Sequence, residues 1–254
     1  TYNAMFWRMA LGALIVAVLY LPRRPVPASG RVLKIHVIRA ALTAVMAYLF
    51  FFGLTRIPLA QAIGLSFIAP IITLFLAVPI LGERIGANAK LAAVLGFVGV
   101  MVVVGGELLA ADEGSDAVGM VAVLLSAVMY AFNLVLQRMQ ALVARPLEIA
   151  FYQNTIVFLM LLVGVPFAVS WPASFYQWGG AALAAGLAVG SLMLMSLAYR
   201  QAEAQRLVVI EYTAFIWAAI MGWWFFAEPI TARTLLGTGL IVLGCLVSAR
   251  GGSR

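Results

Sequence analysis

Charge is what this sequence has least of. Only 10% of its 254 residues are Asp, Glu, Lys or Arg, against about 25% in an ordinary soluble domain. There is one cysteine, Cys245, so no disulfide can close within the chain and no cysteine zinc cluster can form. There is one histidine, His36, which excludes a histidine-based metal site. Nothing matches a Walker A loop, which argues against direct ATP hydrolysis. No cofactor is expected. What remains is apolar: 65% of residues are hydrophobic and the mean hydropathy is +1.09. That balance excludes a disordered chain and an ordinary soluble enzyme.

A membrane-crossing helix needs about 20 apolar residues. Nine apolar segments of that order can be read, at 4–21, 35–55, 58–81, 89–106, 117–137, 147–169, 179–198, 205–226 and 232–249. The alternation of an outer-membrane barrel strand is absent. The expectation is an all-α integral membrane protein embedded in a lipid bilayer. The first segment lacks a basic leader and a small-residue cleavage site, so it reads as a span and not as a signal peptide.

The net charge is +7, with fourteen arginines to two lysines. The basic residues fall singly or in pairs between apolar runs, with no basic stripe, so no nucleic-acid partner is expected. Placing the first loop in the cytoplasm puts Arg23, Arg24, Arg31, Lys34, Arg39, Arg84, Lys90, Arg138, Arg145, Arg200, Arg206, Arg250 and Arg254 on the cytoplasmic side. Arg8, Arg56 and Arg233 stay on the other side. This positive-inside bias predicts a multi-pass protein of the bacterial inner membrane with a cytoplasmic C-terminus.

The chain also repeats itself. SFIAPIITLFLAVPILGE at 66–83 aligns without a gap to EYTAFIWAAIMGWWFFAE at 211–228, an offset of 145. Phe67 meets Tyr212, Ile71 meets Ile216 and Glu83 meets Glu228. The two stretches lie in the third and eighth segments, five crossings apart, and so run in opposite directions. This is the inverted repeat of many secondary transporters. Pairing backwards leaves the fifth segment without a mate. The expectation is ten helices in the intact protein, five plus five, with an N-terminal one missing here. Residues 1–106 form the first repeat, 107–116 an extracytoplasmic linker and 117–254 the second repeat.

Leu81-Gly82-Glu83-Arg84 after Pro70, and Glu211-Tyr212-Thr213-Ala214-Phe215 with Trp217-Ala218 closing on Glu228-Pro229, resemble the drug/metabolite transporter superfamily, EamA type. So does Arg8-Met9-Ala10. The likeness runs along essentially the whole chain. It implies two inverted five-helix halves around a central cavity, with both termini cytoplasmic. It does not name a substrate.

Polar groups within spans are costly and need a reason. Glu211 is the one acid well inside a segment; it reads as a contact for a substrate amine or a carboxylate that exchanges protons, with pairing to Arg206 as the structural alternative. Ser126, Tyr130, Asn133 and Gln137 recur at four, three and four residues and share a helical face. Tyr130 and Asn133 are candidate cavity residues, interhelical bonding being the alternative, and Gln137 is expected at the solvated end. Gln153, Tyr212, Thr213, Trp217 and Ser66 complete the candidate substrate site. Pro70 is expected to kink its helix. Glu83 and Glu228 are read as helix-end or gate residues. Arg8 and Arg39 are expected to snorkel to the headgroups. Ala182, Gly186 and Gly190 form a small-residue face expected to pack closely.

The composition of this candidate site suits an amphipathic or zwitterionic solute resembling an amino acid, nucleoside or vitamin. Strong anions would call for buried cations facing them. The function expected is secondary transport by alternating access, with protons as a candidate coupling ion. A passive channel is the first alternative and an integral-membrane lipid-modifying enzyme the second. Oligomeric state is not legible.

Overall fold

The computed structural model describes residues 2–23, 27–57, 59–110, 116–164, 171–172, 174–226 and 232–250. Among these, every regular element is a helix. In chain order they are α1 (Tyr2–Tyr20), α2 (Gly30–Leu54), α3 (Leu59–Ser66), α4 (Ala69–Leu81), α5 (Ala87–Ala110) and α6 (Ala117–Val143). They continue with α7 (Pro146–Leu161), α8 (Phe175–Gln201), α9 (Ala204–Glu211), α10 (Thr213–Phe226) and α11 (Ala232–Arg250). Six stretches among the described residues are long and apolar enough to cross a bilayer, Tyr2–Arg23, Gly30–Leu54, Ala62–Leu81, Ala117–Val143, Pro146–Gly164 and Phe175–Gln201. The chain is an all-α membrane protein.

Two expected spans are each broken in two. Segment 58–81 divides into α3 and α4, and segment 205–226 into α9 and α10. Pro70 therefore does not kink a continuous helix. It sits in the first turn of α4, where its missing N–H costs nothing. It also cannot donate to the carbonyl of Ser66, which ends α3. Within segment 147–169 the helix α7 ends at Leu161 before a 3₁₀ turn, Leu162–Gly164, and 165–169 lie outside the described residues.

The chain divides into two compact units. The first comprises Thr1–Val45 and Leu136–Gln201. In it α1 packs against α7 and α8, and α7 against α8. Met9, Ala40 and Val157 form one buried cluster, and Val16, Ala150 and Val189 another. Trp7 meets Trp171 at 5.0 Å and Trp178 at 4.8 Å between ring centroids. The predicted small-residue face of α8 does not pack. Ala182 and Gly186 are exposed, and an added Cβ at Gly186 or Gly190 would meet nothing within 4 Å. Ala185 and Val189 carry the contact instead.

The second unit comprises Met46–Val135 and Ala202–Arg254. Here the close seam lies between α5 and α11. A Cβ on Gly99 would stand 2.7 Å from the Gly237 carbonyl, and one on Gly244 would stand 2.9 Å from the Ala92 carbonyl. Lipid supplies no hydrophobic drive between helices, so such close approach is how they gain packing energy. Asp116 caps α6, accepting from the Val118 N–H at 2.9 Å and from Arg56 at 2.5 Å. The Arg56 bond, with the backbone bond behind it, holds this carboxyl below the usual carboxylate range.

Gly82 ends α4 with φ 70°, a left-handed conformation that suits glycine. The turn it makes delivers Glu83 to the start of α9. The Ala204 N–H donates to both carboxylate oxygens of Glu83, at 3.0 and 3.2 Å. The Gly86 N–H donates to Gln205 Oε1 at 3.0 Å. Glu83 is thus a helix-end residue for α9, favoured there by the positive end of the helix. Glu83→Ala should destabilise the protein by about 1–2 kcal/mol, and Glu83→Gln by less. Thermal melts in detergent check this.

Candidate functional site

The breaks matter because an interrupted helix leaves backbone groups without their i±4 partners. α9 ends at Glu211 and α10 begins at Thr213. The residue between them, Tyr212, is fully buried. Its ring stacks on Phe67 at 5.6 Å, and its hydroxyl donates to the Phe67 carbonyl at 3.3 Å. Phe67 lies in the other break, between α3 and α4. The face of Tyr212 closes on Gly96, where a Cβ would stand 2.8 Å from the ring's Cγ and closer still to Cδ2. Tyr212 is therefore a packing residue, a role its sequence position beside Glu211 did not reveal.

Packing Tyr212 inward leaves Glu211 half-buried at the C-terminal end of α9. Its Oε2 accepts a hydrogen bond from the Tyr130 hydroxyl at 2.8 Å. The structure thus brings together two of the residues singled out in the sequence, 81 positions apart. A carboxylate at a helix C-terminus adds to the negative end of the helix dipole. This place suits a positive group, such as a substituted ammonium or a proton, and repels anions.

The rest of the α6 stripe is engaged with α2. Ser126 donates to the Met46 carbonyl at 2.8 Å, and Asn133 Nδ2 lies 3.7 Å from Met46 Sδ. Such interhelical bonds are worth about 0.6 kcal/mol on average. Ser66 bonds back to its own helix, to the Ala62 carbonyl at 2.8 Å, and Thr213 bonds across the break to the Ile210 carbonyl of α9 at 2.7 Å. Trp217 is 62% exposed. In the first unit, Gln153 is buried and its Oε1 has no hydrogen-bond partner among the described residues. Glu228 lies outside the described residues.

Two expectations about polar residues are overturned. Gln137 is buried, not solvated, and Arg39 is only 4% exposed, so it does not snorkel. Arg39 Nη2 donates to Gln137 Oε1 at 3.0 Å and Nη1 to Gln140 Oε1 at 2.8 Å. His36, Gln140 and Glu148 belong to the same network, which sequence reading did not find. Its only sequence signal was paired polar residues three or four apart on three helices. No group of three or more His, Cys, Asp or Glu side chains able to hold a metal occurs among the described residues.

Comparison with known proteins agrees with this architecture. The EamA-like transporter family matches residues 1–105 and 117–250. The chain is 27% identical to the pseudopaline exporter CntI of Pseudomonas aeruginosa, over 97% of this chain and 85% of that one. It is 28% identical to a riboflavin transporter of Rhizobium johnstonii, over 86% of this chain and 71% of that one. A crystal structure 20% identical in sequence superposes with a TM-score of 0.80, over 98% of this chain and 88% of the other. The fold and these relatives lead to one assignment: the chain belongs to the EamA-like transporter family, and is a multi-pass membrane transporter of the drug/metabolite type.

Proposed function

We propose that this transporter is a secondary carrier of the bacterial inner membrane. Its substrate is a small amphipathic or zwitterionic metabolite whose positive group is held on Glu211. The observation that carries this reading is the Tyr130–Glu211 hydrogen bond at the end of α9. The hydroxyl fixes one carboxylate oxygen and leaves the other able to accept from a ligand. The names of two relatives, an exporter of pseudopaline and a transporter of riboflavin, support a small organic solute. The cytoplasmic placement of the C-terminus rests on the distribution of Arg and Lys.

Alternating access between inverted repeats is the mechanism we assign. It is supported by contacts that come in reciprocal pairs under the 145-residue offset. Gly99 meets Gly237 and Ile241; Gly244, the counterpart of Gly99, meets Ala92 and Gly96, the counterparts of those two. In the first unit Gly12 meets Asn154 while their counterparts, Val157 and Met9, share a cluster. Contacts of i with j matched by j with i are what a two-fold relation produces.

The test is a thermal-shift panel of amino acids, nucleosides, vitamins, cationic drugs and phosphate esters against the purified protein. A ligand at 100 times its dissociation constant stabilises by about 2.7 kcal/mol. Hits should carry a positive group. Stabilisation by the phosphate esters alone would overturn the assignment. Saturable exchange of a hit in proteoliposomes separates a carrier from a passive pore.

A further inference from the structure

The buried network of the first unit is built from three helix faces. α2 contributes His36 and Arg39, α6 contributes Gln137 and Gln140, and α7 contributes Glu148 and Tyr152. His36 and Gln140 have no exposed surface. Tyr152 stacks flat on the imidazole, with 4.6 Å between centroids and 15° between planes. Its hydroxyl accepts from the Ala28 N–H at 3.3 Å. Gln140 Nε2 lies 2.8 Å from His36 Nδ1. On the other side of the ring, Nε2 lies 3.5 Å from Glu148 Oε1, which retains some exposure.

The proton positions follow from donor and acceptor inventory. Arg39 can only donate. Gln140 must therefore turn its oxygen toward Arg39 and its NH₂ toward His36. An NH₂ group also only donates, so Nδ1 must receive it with a lone pair. Neutral His36 then carries its proton on Nε2, facing Glu148. A second proton on Nδ1 would set two donors against each other. It is accommodated when the Gln140 amide turns over, giving its oxygen to Nδ1–H. The NH₂ then faces Arg39, which offers no acceptor, and the Arg39–Gln140 bond is lost. Arg39 keeps Gln137.

We propose that His36 Nδ1 is a proton-binding site, and that proton uptake there opens the Arg39–Gln140 link between α2 and α6. The ligand is a proton, and the Glu148 carboxylate beside Nε2, at the start of α7, is the counter-charge of the imidazolium it forms. The groups acting on His36 are Glu148 and Tyr152 from α7, Gln140 from α6 and Arg39 from its own helix. Tyr20 of α1 and Arg145 are within electrostatic reach of this α7 end. Glu148 favours the imidazolium; Arg39 and the Gln140 NH₂ oppose it. The site is independent of the Glu211 assignment.

Because the chain has one histidine, ¹⁵N-histidine labelling gives one imidazole to follow, provided the affinity tag contains none. The full chain in micelles is titrated by NMR. The expected wild-type state near neutral pH is the uncharged Nε2–H tautomer. Gln140→Glu supplies an acceptor to both Arg39 and Nδ1–H. It should move the protonation midpoint up by about 1 to 3 pH units, the usual effect of a neighbouring opposite charge. Gln140→Met removes the donor and guards against a misfolded Glu variant; it should release the tautomer preference, so that Nδ1–H becomes populated. An Nδ1–H tautomer in the wild type would overturn the proposal. So would a midpoint in Gln140→Glu, or a tautomer ratio in Gln140→Met, equal to that of the wild type. The readout needs no substrate, so it stands or falls apart from transport.

Discussion

Glu211→Gln should lower kcat/KM for a cationic or zwitterionic substrate by about ten- to a hundredfold while leaving the protein folded. A hydrogen bond involving a charged group is worth about 1.5–3 kcal/mol, and each 1.4 kcal/mol is about tenfold. Glutamine keeps the shape and still accepts from Tyr130, so packing at the break is retained; only the charge is lost. Tyr130→Phe should have a smaller effect in the same direction, because the carboxylate stays charged but loses its fixed orientation. Initial-rate uptake into proteoliposomes, with a thermal melt of each variant, separates loss of binding from loss of fold. Unchanged uptake in Glu211→Gln would remove this carboxylate from the substrate site. A variant that still transports but loses its pH dependence would reassign Glu211 to the proton.

Gly99→Val should be the most damaging single change to stability. A Cβ at this position would already lie 2.7 Å from the Gly237 carbonyl and 3.2 Å from the Ile241 backbone nitrogen. Both are main-chain atoms, so no side chain can swing aside. The two helices must separate, and overpacking of this kind costs about 1–3 kcal/mol, occasionally more. The melting temperature should fall on the order of 5–10 °C. Gly186→Val is the matched control, since nothing lies within 4 Å of the added carbon; its melt should resemble that of the wild type. Equal melts for both variants would mean that the α5–α11 seam does not limit stability.

Most helices were legible because membrane spans announce themselves by length and hydropathy alone. The breaks at Phe67 and Tyr212 were not, since Ser66, Glu211 and Thr213 beside them read equally well as the polar lining of a continuous helix; only Pro70 hinted at the first. The pairing of Glu211 with Tyr130 was partly legible, as each stood out as a polar group within an apolar run. That Tyr212 turns inward while Glu211 does not depends on the break, and no periodicity encodes it. The small-residue face was misplaced because glycine spacing records that a close approach is allowed and not which helix uses it. The His36 network escaped for a related reason. Arg39, Gln140 and Glu148 each sit near a span end, where a solvated reading satisfies the same sequence. Only their convergence separates a buried clamp from three surface residues.

Phe67 and Tyr212 are counterparts under the 145-residue offset, and they stack on one another. A half-turn moves every point except those on its axis. On the proposed repeat, a ring that meets its own counterpart therefore marks where that axis passes. Two identical halves could furnish this spot only with matching side chains, and any change would arrive there twice. A single continuous chain lifts that restriction. The hydroxyl carried by one ring and absent from the other, bonded to the opposite carbonyl, is where the two halves have parted company.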